Sequence, residues 1–175
     1  MLHGKKIFLR AVTPSDADIL YKWENDKSNW QVSGTKKPFT KKEIKEFIAN
    51  QKDIYLDKQL RLMIETRDKG HGTGKILNPK SQILNSVGCI DLFNFSERKQ
   101  NAGVGILVDK TFRKKGYASE ALSLLIKYTF NTLNLRELFC SVSEDNKASV
   151  RLFQKHKFKI IEKNKNVCSL KLAYK

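Results

Sequence analysis

The sequence lacks long apolar runs and is poor in cysteine. None of its apolar stretches approaches the roughly 20 residues that a membrane-spanning helix needs, and its first residues do not have the pattern of a secretory signal. The three cysteines, Cys89, Cys140 and Cys168, are odd in number and show no CxxC spacing, which argues against a disulfide framework and a zinc site. We therefore expect reduced cysteines, no metal, no membrane partner and a cytoplasmic location.

Two common nucleotide-binding signatures are also absent. The chain has neither the GxxxxGK[ST] pattern of a P-loop nor the GxGxxG pattern of a dinucleotide-binding fold. Internal repeats, low-complexity stretches and linker-like segments are missing too. A length of 175 residues with 40% hydrophobic content is enough for one well-packed core. We predict a single domain that spans residues 1–175.

Acidic residues are few relative to basic ones. The chain has 18 Asp and Glu against 34 Lys and Arg, which gives a formal net charge of +16. This charge favours an anionic cofactor or a nucleic-acid-associated partner. The lysines are spread along the chain without a dense basic tail, so a solvated basic surface explains most of them. Nucleic acid is therefore not a required partner, and a basic ribosome- or RNA-associated protein stays open as an alternative.

Local patterns predict alternating strands and helices. Apolar runs predict strands at residues 6–12, 60–66, 87–95, 102–108, 137–143, 159–162 and 167–174. Helix-start signals predict helices at residues 14–25, 40–56 and about 118–130, and another from residue 145 or 146 onward. Residues 67–86 are rich in Gly, Lys, Asn and Ser, which predicts a mobile loop or an added hairpin.

The most informative stretch lies between the predicted strand at 102–108 and the helix that follows it. It is basic and contains a glycine: Arg113, Lys114, Lys115, Gly116, Tyr117, Ala118 and Ser119. The first N–H groups of a helix have no partner within the helix and attract anions, and a glycine allows close approach to the backbone. We predict a phosphate or pyrophosphate site here. The alternative is an ordinary strand–turn–helix connection in a basic protein.

Two motifs resemble those of the GNAT N-acetyltransferases. The order of Arg113, Gly116 and Ala118 resembles their acyl-CoA signature, Gln/Arg-x-x-Gly-x-Gly/Ala. Residues 146–158 are similar to the later pattern N-x-x-S-x-x-L/I-Y/F-x-K-x-G-F, with matches at Asn146, Ser149, Leu152, Phe153, Lys155 and Phe158. Lys157 stands where glycine is usual. The resemblance covers nearly the whole chain, and it is closest to the branch of ribosomal-protein and spermidine N-acetyltransferases.

The resemblance implies a fold and a cofactor. The fold is α+β, with a mixed, mostly antiparallel sheet of about seven strands, flanking helices, and strands four and five splayed apart. Acetyl-CoA, the acyl donor, lies in that gap. The resemblance assigns cofactor binding to Ile106, Leu107, Val108, Arg113, Lys114, Lys115, Gly116, Tyr117, Ala118, Ser119, Asn146, Ser149 and Phe153. The alternatives are that Asn146 only caps a helix, that Phe153 is a core residue, and that residues 106–108 are plain strand core.

Acetyl transfer to an amine needs a proton acceptor, because a protonated amine cannot attack a thioester. Asp91 is our first candidate, since it stands in an apolar strand where an unpaired carboxylate would be costly. Its alternative role is to pair with a neighbouring lysine or arginine. Glu24 is the second candidate. It belongs to the acidic, aromatic segment 23–30, which is either a loop near the acceptor or a helix end with two core tryptophans.

The leaving thiolate needs a proton or another form of stabilisation. Many GNAT enzymes use a tyrosine at the position of Phe153, and phenylalanine has no hydroxyl. Either Ser149 or a water molecule takes that role here, or turnover is slow. The resemblance implies an acetyl-CoA-dependent N-acetyltransferase in which the amine attacks directly in a ternary complex. The acceptor is a protein amine, a polyamine or another small amine, and a homo-oligomer is compatible with the sequence. An acyl-CoA-binding module without efficient catalysis is the alternative.

Overall fold

The structure is a computed structural model, and it describes residues 1–33, 35–51, 53–66, 85–164 and 166–174. Its strands are β1 (Leu2–His3), β2 (Ile7–Ala11), β3 (Leu60–Thr66), β4 (Asn85–Ser96), β5 (Asn101–Val108), β6 (Glu137–Ser143), β7 (Lys159–Asn164) and β8 (Val167–Ala173). Its helices are α1 (Ala17–Asn25), α2 (Lys27–Ser33), α3 (Lys41–Asn50), α4 (Ile54–Asp57), α5 (Tyr117–Asn131) and α6 (Lys147–Lys155). The described strands form one eight-stranded sheet in the order β1-β2-β3-β4-β5-β6-β8-β7.

Alternate residues of the central strands contribute to two separate cores. Ile64 and Ile90 belong to the larger core, which includes the buried faces of α5 and α6. Met63 and Cys89 belong to the smaller core, which is formed with α1 and α3. Successive side chains of a strand point to opposite faces of its sheet, so these apolar strands are buried on both sides. The sheet therefore lies between two helical layers, which confirms the predicted α+β class.

The neighbouring strands β5 and β6 diverge along their length. β5 pairs with β4 from Gly103 to Val108 in antiparallel register. It pairs with β6 only at residues 101–103, in parallel register with residues 137–139. Beyond Gly103, the side of β5 that faces β6 has no strand partner in the described part of the chain. This arrangement confirms that the fourth and fifth predicted strands are splayed.

Most predicted elements are confirmed within two residues of their bounds, but four predictions differ from the structure in detail. The described sheet has eight strands instead of about seven, because Leu2–His3 adds a short strand against β2. The predicted helix at 40–56 is wrong as a single helix. It breaks after α3 because the Asp53 side chain accepts the N–H of Tyr55 at 2.7 Å and caps the new helix α4. The predicted helix at 14–25 begins as a 3₁₀ turn, Pro14–Asp16, before α1.

The segment after α1 also differs from its prediction. Residues 27–33 form α2, where the sequence suggests a loop or a helix end. Asp26 explains the new helix, because its Oδ1 accepts the N–H of Ser28 at 2.9 Å and starts the turn. The predicted loop at 67–86 falls mainly on residues 67–84, which lie outside the described residues, and Asn85 and Ser86 belong to β4. Among the described helices, none is both long and apolar enough to cross a membrane.

Candidate active site

The helices α5 and α6 follow the two strands that flank the gap between β5 and β6. These strands are parallel where they pair, so their C-terminal ends lie at the same edge of the sheet. Chain order places α5 after β5 and α6 after β6. The N–H groups of a first helical turn have no acceptor within the helix, and the helix dipole adds partial positive charge. The edge of the sheet at this gap therefore suits a ligand that carries phosphate groups.

The turn before α5 has the open backbone that such a ligand requires. Asp109 follows β5, and its Oδ1 accepts the N–H and the hydroxyl of Thr111 at 2.9 and 2.8 Å. Gly116 then caps α5 with a φ of +88°. This left-handed conformation favours glycine. Apart from its chain neighbours, no atom of the described residues lies within 4 Å of the place where a Cβ would stand on Gly116, so the approach to the first turn of α5 is open.

The basic side chains of this turn have two different placements. Lys114 and Lys115 are exposed, and the Nζ atom of Lys6 donates to the Lys115 carbonyl at 3.5 Å. Arg113 is turned toward the protein, since its Nε donates to the Val108 carbonyl at 2.9 Å and its Nη2 donates to Asn29 Oδ1 at 3.3 Å. The lysines are thus available to an anion, whereas Arg113 ties the turn to the end of β5.

The predicted strand positions line the gap. Ile106, Leu107 and Val108 are half-buried and stand on the stretch of β5 that β6 does not pair. Unpaired strand N–H and C=O groups can form the same hydrogen bonds with a peptide-like chain that a neighbouring strand would form. The unpaired edge of β5 and the open turn beside it fit the pantetheine arm and the phosphates of an acyl-CoA.

Of the three residues predicted to bind the cofactor near α6, Asn146 and Ser149 contact each other, whereas Phe153 lies in the core. Asn146 Oδ1 accepts the N–H of Ser149 at 3.1 Å and caps the helix. The structure therefore brings Asn146 and Ser149 together at the start of α6, just after the C-terminal end of β6. Phe153 is only 3% exposed and belongs to the larger core. Its ring packs against Phe158 with centroids 5.0 Å apart.

The end of α6 explains the last part of the second motif. The N–H of Phe158 bonds to the Phe153 carbonyl at 3.1 Å, and the N–H of Lys157 bonds to the Gln154 carbonyl at 3.0 Å. Together with the contact between the rings of Phe153 and Phe158, these bonds form a Schellman cap. Lys157 has a φ of +70°, the conformation for which glycine is usual. The turn keeps the geometry of the motif although its glycine is replaced.

The two carboxylates that the sequence suggests as proton acceptors, Glu24 and Asp91, both accept hydrogen bonds from Arg61. Arg61 on β3 donates through Nε and Nη2 to Asp91 Oδ1 and Oδ2 at 2.7 and 3.0 Å. It donates through Nη1 to Glu24 Oε1 at 2.6 Å. Side-chain exposures are 12% for Arg61 and Glu24 and 17% for Asp91. Burial opposes the charge of Arg61, but Asp91 and then Glu24 hold its pKa well above the usual value, so the guanidinium stays protonated.

This group, which we call the Arg61 network, lies next to the unpaired strand. Arg61 and Asp91 stand directly opposite each other on β3 and β4, and Asp91 stands opposite Gly105 on β5. Asp91 Oδ2 is 3.8 Å from the position that a Cβ would have on Gly105. One cation and two carboxylates give the network a net charge of −1. Ser149 is not part of it, because α6 follows β6 on the other side of the gap.

One contact joins the Arg61 network to the end of β5. Trp23, the neighbour of Glu24 on α1, is 3% exposed. Its Nε1 donates to Asp109 Oδ2 at 2.9 Å. Asp109 is the first residue after β5 and begins the turn that leads to α5. Two consecutive residues of α1 therefore contact both parts of the site.

Sequence reasoning missed two residues of this region. Arg61 is one of two charged residues of β3, the other being Glu65, and its role becomes visible only when the strand register sets it opposite Asp91. His156 occupies a variable position of the second motif. Its Nε2 lies 2.9 Å from Ser119 Oγ, and its Nδ1 lies 3.5 Å from Ser123 Oγ. A motif pattern alone gives no signal for either contact.

The three cysteines are free, and they are buried in the core as predicted. Burial raises the pKa of the Cys89 thiol well above its usual range and that of Cys140 to about 12. A thiol in this state is not a nucleophile near neutral pH, because the thiolate is the reactive form. Among the described residues, no group of three or more His, Cys, Asp and Glu side chains is placed to hold a metal ion.

The comparison with known proteins agrees with this geometry. The family model for an acetyltransferase (GNAT) domain matches residues 6–159. The chain belongs to the GNAT acetyltransferase family. It is 24% identical over 153 residues to an N-acetyltransferase 9-like protein of Caenorhabditis briggsae, covering 87% of this chain and 73% of the relative. It is 26% identical over 73 residues to a spermidine N(1)-acetyltransferase of Escherichia coli K12, covering 42% and 39% of the two chains.

A solved structure shows the same GNAT fold. Spermidine N-acetyltransferase of Vibrio cholerae, in complex with CoA and spermine, superposes with a TM-score of 0.80 at 17% identity, covering 97% of this chain and 96% of that one. At this identity the likeness shows the fold alone. The family confirms the predicted activity: this GNAT protein is an enzyme that transfers an acetyl group from acetyl-CoA to an amine.

Proposed function

We propose that this GNAT enzyme acetylates a small polycationic amine of the polyamine class. The Arg61 network carries the proposal. It holds a net charge of −1 on the strand next to the gap, in a protein whose formal net charge is +16. The basic surface repels polycations at long range, so a local acidic group is needed to bind one. Spermidine acetyltransferases among the similar proteins support this acceptor class.

We assign cofactor binding to the unpaired edge of β5 and the turn before α5. Bound acetyl-CoA supplies the acetyl thioester that the amine attacks. The backbone of Ile106–Val108 binds the pantetheine arm, and the N–H groups of residues 117–119 bind the phosphates with help from Lys114 and Lys115. Arg113 acts differently from its prediction in this proposal: it positions the turn through the Val108 carbonyl.

We assign proton acceptance to Glu24 and positioning to Asp91. Both oxygens of Asp91 are engaged by Arg61, whereas the contact of Arg61 with Glu24 uses Oε1. Glu24 can therefore accept a proton from the amine, directly or through water, without giving up its bond to Arg61. Asp91 keeps Arg61 oriented and adds the second negative charge. This assignment reverses the order in which the sequence suggests the two candidates.

The remaining steps follow from the buried core. Because the described thiols are buried and two of them have raised pKa values, an acetyl-cysteine intermediate is disfavoured and the amine attacks the thioester directly. Phe153 offers no proton to the leaving thiolate, so Ser149 or a water molecule at the start of α6 donates it. A homo-oligomeric state, one domain over residues 1–175 and a cytoplasmic location stay predictions.

An acceptor panel tests the proposal. We expect kcat/KM for spermidine or spermine to exceed that for peptides with a free α-amine. Glu24→Gln is expected to lower kcat/KM by a factor of about 10² to 10⁴, the usual contribution of a positioned proton acceptor. The matched control is Glu46→Gln, because Glu46 is an exposed carboxylate paired with Lys42 on α3. A preference for peptide amines, or equal effects of the two substitutions, would refute the assignment.

A further inference from the structure

His156, at the end of α6, contacts α5, which is the helix that begins at the cofactor turn. His156 caps α6, and its ring lies between that helix and α5. Its Nε2 is 2.9 Å from the hydroxyl of Ser119, the third residue of α5. Its Nδ1 is 3.5 Å from the hydroxyl of Ser123, one turn further along. The ring therefore connects the end of one helix to the first turns of the other.

The Schellman cap fixes the position of this imidazole. The N–H of His156 bonds to the carbonyls of Leu152 and Phe153 at 3.3 and 3.0 Å. The two rings of the cap, Phe153 and Phe158, are 3% and 2% exposed. His156 thus stands on a rigid part of the fold, and its contact with Ser119 holds the first turn of α5 against α6.

We propose that His156 is a positioning residue that couples acyl-CoA binding to proton uptake. The proposal rests on the cofactor site assigned above to the first turn of α5. A neutral imidazole has one N–H donor and one acceptor nitrogen, whereas an imidazolium donates from both nitrogens. When His156 is protonated, Ser119 accepts from it, and the hydroxyl proton of Ser119 is free for a phosphate oxygen. The same proton adds one positive charge beside the anion site.

Burial and a neighbouring positive charge favour a neutral His156 in the free protein. Burial, followed by the nearby charge of Lys155, lowers the pKa of His156. On α5 the groups that meet the ring are hydroxyls. Ser123 also lines an open hollow of about 490 Å³, whose charged or titratable residues are His3, Lys5, Glu120 and Lys127. Glu120 is engaged there, because it accepts the N–H of Lys6 at 3.1 Å. An added anion is the group that would favour protonation.

The direction of the pH effect follows by linkage. If the bound anion raises the pKa of His156, binding takes up a proton. The affinity for the anion then increases as pH falls from above the pKa of the bound protein to below the pKa of the free protein. Above both values the affinity levels off at its weaker limit. A coupling of ordinary size corresponds to a change of about fivefold or more in Kd.

Calorimetric titration with dephospho-CoA tests the coupling. This probe retains the pyrophosphate but lacks the 3′-phosphate, whose own second ionisation near pH 6 would otherwise contribute. We expect its Kd to fall about fivefold or more between pH 8 and pH 5.5. His156→Gln keeps an amide for Ser119 but does not titrate, so its Kd should be independent of pH. His3→Gln is the matched control and should retain the wild-type dependence.

Proton uptake gives a second measurement that needs no variant. Repeating the titration near pH 6.5 in buffers of different ionisation enthalpy should show net uptake of up to one proton per site. Uptake of zero, or the same pH dependence in His156→Gln as in the wild type, would overturn the proposal. Absence of binding to the wild-type protein at every pH would instead refute the cofactor site itself. The two failures are therefore distinguishable.

Discussion

Arg61→Met removes the one cation of the Arg61 network and leaves Glu24 and Asp91 facing each other. Both carboxylates have low exposure, 12% and 17%, so water can solvate them only in part. Loss of one partner from a buried ion pair costs about 3–5 kcal/mol. The partial exposure argues for the lower end, about 3 kcal/mol. The methionine keeps apolar contact with the Phe47 ring, over which the guanidinium carbon lies at 4.9 Å.

Chemical denaturation at neutral pH measures this loss. In thermal unfolding of a domain of this size, a loss of about 3 kcal/mol corresponds to a decrease of roughly 6–12 °C in Tm. Lys42→Met is the control, because Lys42 pairs with Glu46 at 3.8 Å on an exposed helix surface, and it should cost about 0.5 kcal/mol or less. Equal losses for the two variants would refute the claim that the network is a buried electrostatic unit.

Three further predictions concern the cofactor gap and α6. Gly116→Val should weaken acetyl-CoA binding, measured by calorimetry, at least tenfold. It should also lower the unfolding free energy by about 1–2 kcal/mol, which is the cost of a left-handed conformation for a residue other than glycine. Unchanged affinity would contradict the assignment of the turn as a binding site. Lys157→Gly should raise the unfolding free energy by about 1 kcal/mol for the same reason, whereas Arg151→Gly in the middle of α6 should lower it by a similar amount. A loss in both variants would contradict the strain at Lys157. Phe153→Tyr restores the hydroxyl of a thiolate acid and should increase kcat, up to the factor of about 10² at the low end of general acid catalysis, with acetyl-CoA affinity nearly constant. An unchanged kcat together with a lower unfolding free energy would contradict this prediction and would indicate that the new hydroxyl is buried against Phe158.

The cofactor side of the site was predictable because its information is local. A strand, a basic turn with Gly116 and a helix follow one another in the chain, and each leaves a pattern in the sequence. The strand bounds of β3 and β6 were predictable for the same reason, since apolar runs ended by polar residues determine them. The break between α3 and α4 was not, because the capping strength of Asp53 competes with an apolar pattern that continues through it.

The acceptor side was predictable only in part. Asp91 and Glu24 were found as carboxylates in unusual surroundings, but their common partner was not. The pairing of Arg61 with Asp91 depends on the register of β3 against β4, and Glu24 reaches Arg61 only after α1 packs on the sheet. The bond between His156 and Ser119 likewise depends on how two helices pack. Contacts between distant segments leave no local signal in a single sequence.

The placement of Trp23 and Glu24 on one helix has a consequence for the order of events at the enzyme. Trp23 binds Asp109, where the cofactor turn begins, and Glu24 binds the network assigned to the amine. A shift of α1 that follows occupancy of one subsite must reach the other, since helical neighbours move together. The two substrates should then change each other's dissociation constant by the same factor, as reciprocity requires. The concentration of one substrate would therefore determine how strongly the enzyme responds to the concentration of the other.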